Sequence, residues 1–151
     1  MINFKSNINM KNVPKIGDTV DKFLAWIGNP DHSTSGQFHF EITEGETGDY
    51  SRLTITTFGD NIVSDISFSD NNSFDSKYIR DFAMKFLPDD IIQITTKEQH
   101  THVDEYEVPH ATLYQSKQLE GNEGYITLYI MQEERYSSLS VSLGKDEELF
   151  Y

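Results

Sequence analysis

Apolar side chains recur along this chain with two periods, and the switch between them marks out helices and strands. Val20, Phe23, Leu24 and Ile27 stand at i, i+3, i+4 and i+7, the stripe of a half-buried helix, with Asp18 or Thr19 placed to cap it. Gly28, Asn29 and Pro30 stop that helix. Period two then takes over. Residues 37–43 set Phe38, Phe40 and Ile42 on one face and His39 and Glu41 on the other, the pattern of a strand. The polar segment 44–49, with two glycines, predicts a hairpin connection to a strand over 51–58 built on Leu53 and Ile55. Gly59, Asp60 and Asn61 turn the chain into a third strand over 62–68, with Ile62, Ile66 and Phe68 inward.

The helical period returns once. Asp75 or Ser76 caps a segment in which Tyr78, Ile79, Phe82, Ala83 and Phe86 form one stripe, and Pro88 ends it. The rest of the chain reads as strands over 91–96, 106–108, 111–116, 125–131 and 137–143. The order of helix, strands, helix, strands suggests an internal duplication, because a shift of 58 places Leu24 and Ala25 on Phe82 and Ala83, and Pro30 and Asp31 on Pro88 and Asp89. The expected fold class is therefore α+β, two tandem repeats of one helix packed on an antiparallel sheet. Residues 1–13 form a flexible lead-in, 14–72 the first repeat and 73–151 the second, the two making one compact unit.

Composition narrows the function classes. Twelve Lys plus Arg against 25 Asp plus Glu leave a formal charge of −13. Such a field opposes phosphate backbones and anionic lipid, so nucleic acid is not expected as a partner. The absence of cysteine removes thiolate nucleophiles, disulfides and Cys-based zinc sites. No apolar run is long enough to span a membrane, and the N-terminus lacks the apolar core of a signal peptide, which fits a cytosolic chain or the mature part of an exported one.

The segments Ile16-Gly-Asp-Thr-Val-Asp-Lys-Phe-Leu24, Gly28-Asn-Pro-Asp31, Arg52-Leu-Thr-Ile-Thr56 and Asn61-Ile-Val-Ser-Asp-Ile-Ser-Phe68 resemble the SmpA/OmlA-type small lipoproteins and the related beta-lactamase-inhibitor-like proteins. The second half, with Phe86-Leu-Pro-Asp-Asp90 and Tyr114-Gln-Ser-Lys-Gln-Leu119, resembles Gram-positive exported or lipid-anchored proteins that carry such a repeat twice. The resemblance covers residues 14–144. It implies a cell-envelope location, a possible lipid anchor in a precursor and protein recognition on the sheet face, and it carries over no catalytic residues. The export signal and the paired cysteines of the secreted inhibitors are missing here.

Candidate chemistry is sparse. His100, His102 and Asp104 stand at i, i+2 and i+4, a spacing that zinc or nickel uses on one strand face, with His110 as a fourth candidate; a polar loop or solvent-facing strand explains them better, because residues 99–107 are strongly hydrophilic. Asp70, Asn71, Asn72, Ser73 and Asp75 are hard oxygen donors without the spacing of an EF-hand. No nucleophile elbow and no phosphate-cradling glycine loop occurs, so no catalytic residue is assigned and no cofactor is expected. The more informative pattern is Tyr125, Thr127 and Tyr129 on one side of a strand whose Ile126, Leu128 and Ile130 face the helix. With Tyr106, Tyr114 and Tyr136 nearby and Trp26 at the edge of the first helix stripe, these residues define an aromatic surface suited to a protein partner. The expected function is a non-catalytic protein-binding or inhibitory module at the bacterial cell surface. The alternative is an intracellular acidic immunity or anti-defence protein that blocks a basic nuclease through residues 41–49 and the tail 146–148.

Overall fold

The computed structural model describes residues 4–43, 52–57, 61–71, 76–97, 100–101, 107–108, 110–119 and 121–150. Among the described residues, eight strands make one antiparallel sheet. In chain order the elements are α1 (Val20–Ile27), β1 (His32–Thr34), β2 (Gln37–Phe40), β3 (Arg52–Thr57), β4 (Val63–Asp70), α2 (Ser76–Met84), β5 (Ile92–Lys97), β6 (His100–Thr101), β7 (Glu107–Val108), β8 (His110–Gln115), β9 (Tyr125–Glu133) and β10 (Tyr136–Leu143). The sheet runs β1-β2-β3-β4-β10-β9-β8-β5, and β6 and β7 form a separate two-stranded ladder.

This architecture corrects the expectation of an α+β unit of two tandem repeats. The helices are short, eight and nine residues, and the sheet dominates. β4 and β10 pair in register from Asp70 against Ser137 to Asp65 against Ser142, so no seam separates an N-terminal from a C-terminal sheet. The core is likewise shared: Phe23, Phe40, Leu53, Ile55, Ile66 and Phe68 belong to the same buried cluster as Phe86, Ile126, Leu128, Leu139 and Val141. Once two edges bond, one continuous apolar face is buried under one layer, and the units lose separate identity.

The inner face follows the pleat. Leu53 and Ile55 of β3, Ile66 and Phe68 of β4, Ile126, Leu128 and Ile130 of β9 and Leu139 and Val141 of β10 are buried at alternate positions, and α2 lies over β9 and β10. Phe82 meets Phe4, Phe68 and Phe86 at ring-centre distances of 5.0, 5.1 and 5.3 Å. Several local expectations shift. α1 starts after Thr19, but no side-chain cap is made; instead the amide of Val20 donates to the carbonyl of Asn61 at 2.7 Å and that of Val63 to the carbonyl of Asp18 at 2.9 Å. Backbone pairing thus gives the first helical amide its partner and ties the start of α1 to the start of β4. In β4 the inward residues are Val63, Ile66 and Phe68, not Ile62, because a bulge opposite Thr56 and Thr57 resets the alternation. Tyr78 leaves the α2 stripe and is 48% exposed. Within residues 4–13, Ile8 and Val13 are buried and the Lys5 amide donates to the Ile42 carbonyl at 2.9 Å. Among the described residues, no helix is long and apolar enough to cross a membrane.

Candidate binding face

The outer face of the sheet is polar by the same alternation that makes the inner face apolar. In register across the centre lie Thr56, Asp65, Ser142 and Thr127 on one rung and Thr54, Ser67, Ser140 and Tyr129 on the next. At the β8 end the character changes. Ala111 and Leu113 are buried on this outer side, together with Phe150 and the partly buried Tyr125, Tyr129 and Leu149. Apolar residues outside the main core need a cover, and the C-terminal segment 144–150 provides it by folding back across β9.

Asp146 fastens that segment. Its carboxylate accepts a short hydrogen bond from the Tyr129 hydroxyl and further bonds from the amides of Glu148 at 3.0 Å and Leu149 at 3.3 Å. Thr127 Oγ1 donates to the Gly144 carbonyl at 2.9 Å and accepts from the Asp146 amide at 3.3 Å. Burial, and then the neighbouring Asp146 carboxylate, push the Tyr129 phenol far above its ordinary value, so it remains a donor at every physiological pH. Asp65, on the same face, accepts from Ser142 Oγ at 2.6 Å and Ser140 Oγ at 3.5 Å; burial raises its pKa and these hydroxyls pull it partly back.

The tail does not seal the face. A cleft of about 460 Å³ lies between β9, the end of β10 and residues 144–147, with Tyr125, Thr127 and Tyr129 in its wall. A second hollow of about 220 Å³ is lined by Ile94, Thr95, Lys97, Leu113, Tyr125, Lys145, Leu149 and Phe150. Tyr125 borders both, and Lys145 Nζ sits 5.7 Å from its ring centre. Beside the second hollow, β5 ends the sheet, and Ile92 and Ile94 are 58% and 45% exposed. Ile94 is the residue left unpaired where the β5–β8 register shifts between Gln93 and Thr95.

The expected aromatic surface is thus divided. Tyr125, Thr127 and Tyr129 do share the outer face, but Thr127 is only 2% exposed and Tyr129 is tied to the tail. Tyr136 opens β10 opposite Glu133, at the other end of β9 from Tyr125. Tyr114 faces the opposite way, 4% exposed in the main core, with its hydroxyl 3.6 Å from Met84 Sδ. Trp26 also lies on the helix side, edge-on to Phe23 and Phe86 with Nε1 donating to the Asn9 carbonyl at 3.0 Å. Tyr106, His102 and Asp104 lie outside the described residues, as do Asn72, Ser73 and Asp75; His100 is on β6. His110 sits within 3.2 Å of Arg80 Nη2 and 3.1 Å of Thr96 Oγ1. Among the described residues, no three His, Cys, Asp or Glu side chains converge. The exposed edge at Ile92 and Ile94 was readable in the sequence only as part of a strand, since exposure depends on which strand ends the sheet.

Comparison with family models, with curated proteins and with solved structures returns no match, so the resemblance to the SmpA/OmlA-type proteins rests on the residues quoted for it.

Proposed function

We propose that this protein is a non-catalytic protein-binding or inhibitory module, exported or lipid-anchored at the bacterial cell surface, that takes its partner along β5 and the adjoining outer face around Tyr125. The observation that carries the reading is the coincidence of an apolar sheet edge with a hollow. Ile92 and Ile94 stand exposed on the terminal strand, next to a recess walled by Leu113, Leu149, Phe150 and Tyr125. Terminal strands are ordinarily blunted by charge, and large exposed apolar side chains there support pairing with another chain. An extended partner segment adding to β5 gains backbone bonds from the edge and side-chain burial from the recess. The cell-surface location is supported by the family resemblance alone.

The second reading, an acidic blocker of a basic intracellular protein, is supported by the formal charge of −13. Of the tail acids assigned to it, Asp146 is already engaged with Tyr129 and two amides. Affinity capture from lysate and envelope fractions at low and high salt separates the readings. The first predicts an envelope protein retained at both salt levels and lost with Ile94→Asp or Tyr125→Ala, while Asp21→Ala on α1 leaves retention unchanged. A basic partner lost at high salt and indifferent to Ile94→Asp contradicts it in favour of the second.

A further inference from the structure

At the opposite edge of the sheet, β1 and β2 place two imidazoles directly across from each other. His32 pairs with His39 in the ladder, their ring centres are 5.7 Å apart and the rings are inclined by 22°. We propose that this cross-strand pair is a bidentate site for a first-row transition-metal dication that favours imidazole, with copper(II) its strongest ligand partner and zinc or nickel following. With metal–nitrogen bonds of about 2.0–2.1 Å, two neighbouring imidazoles on one ion hold their ring centres roughly 4.5 to 5.2 Å apart, against 5.7 Å for the stacked rings here. Chelation therefore takes an approach of about half to one ångström and a turn of the His32 ring out of the stack; β1 ends the sheet with all three residues exposed, so nothing in the core resists that movement.

The neighbours of His39 prepare it for this role. Its Nδ1 lies 3.0 Å from Thr54 Oγ1 on β3. With the proton on Nδ1 donated to that hydroxyl, Nε2 presents its lone pair, the arrangement in which a second-sphere partner fixes tautomer and ring orientation. Partial burial, followed by the Arg52 guanidinium and His32, lowers the pKa of His39, which keeps the ring neutral and able to bind a metal at neutral pH. Arg52 repels a cation, and the chain's formal charge of −13 works against that repulsion. No third protein ligand joins the pair among the described residues, so water completes the coordination and affinity falls short of that of a closed structural site. An ion held here ties the terminal strand to its neighbour.

The chain has five histidines, and the remaining three, His100, His102 and His110, supply the internal control. Copper(II) is titrated into the full chain at neutral pH and followed by electron paramagnetic resonance and calorimetry. The expected result is one equivalent bound with two imidazole nitrogens in the equatorial plane. His32→Ala, or His39→Gln, which retains a hydrogen-bonding group opposite Thr54, reduces the signal to one imidazole and weakens binding by about tenfold or more, because the second contact is no longer intramolecular. His100→Ala/His102→Ala leaves the two-imidazole signal in place. The proposal is overturned if that double variant abolishes the signal, if the His32 and His39 variants leave it unchanged, or if the wild type gives no two-imidazole species at one equivalent. Circular dichroism of each variant separates loss of a ligand from loss of the fold.

Discussion

Asp65 and Tyr129 show how single side chains on the outer face trade solvation for order. Asp65 accepts from two serine hydroxyls, yet burial outweighs them and its pKa is raised. A raised folded-state pKa means that the folded chain holds this proton more tightly than the unfolded chain. The stabilising contribution is complete below the ordinary carboxylate value and is lost as pH rises through the folded-state value. Asp65→Asn, which cannot ionise, is accordingly expected to raise Tm at neutral pH, with the gain vanishing near pH 3; paired thermal melts across that range measure it. Tyr129 spends its hydroxyl on Asp146, and Tyr129→Phe is expected to cost about 1.5 to 3 kcal/mol in chemical denaturation, the range for a hydrogen bond to a charged partner. At this scale the sequence was partly legible. Alternation put Tyr125, Thr127 and Tyr129 on the side away from Ile126, Leu128 and Ile130, as the strand requires. It could not place Tyr114, because β8 is buried on both faces from Ala111 to Tyr114, and only the tail's return creates the second buried side.

Among elements, the C-terminal segment 144–150 had the weakest sequence signal, since its charged residues read as a solvated tail while Phe150, 4% exposed, anchors it. The segment exposes Glu147 and Glu148 and buries Phe150 against Ala111 and Leu113, which no period of two or 3.6 encodes over so short a stretch. Phe150→Ala is expected to release it: hydrogen exchange of amides 144–150 should accelerate severalfold while the β9–β10 ladder stays protected. Uniform acceleration through β9 and β10 would mean that the tail is integral to the sheet. Both helices and most strands, by contrast, were legible from apolar period, with boundaries moved by up to three residues, β2 ending at Phe40 and not at residue 43, while the two-residue β6 carried no such period. The exceptions have physical causes: β1 is three polar residues held by pairing to β2, and the β4 bulge breaks the alternation that pointed to Ile62. His32 and His39 were likewise invisible as a pair until β1 existed to set them opposite each other.

For the whole molecule, the order of elements suggested two repeats, and the pairing of β4 with β10 makes one sheet over one core instead. A shared core implies shared unfolding. Phe86 is fully buried in that core, with its carbonyl accepting from the Ile16 amide at 2.7 Å. Phe86→Ala is expected to cost about 3 to 5 kcal/mol and to lower a single transition, seen alike by far-ultraviolet circular dichroism and by Trp26 fluorescence; two separated transitions would restore independent halves. Function is where legibility ended, because a binding surface is defined by which edge is left open and which face is covered, and both are outcomes of topology. The most direct test of the proposed surface is site-specific photo-crosslinking in the source cells, with a benzophenone amino acid in place of Ile94 on β5 or of Asp21 on α1. An adduct of discrete mass formed from position 94 and not from position 21 is the predicted result. An adduct from position 21 alone, or none from position 94, would contradict the assignment of the β5 edge and its adjoining face as the contact surface.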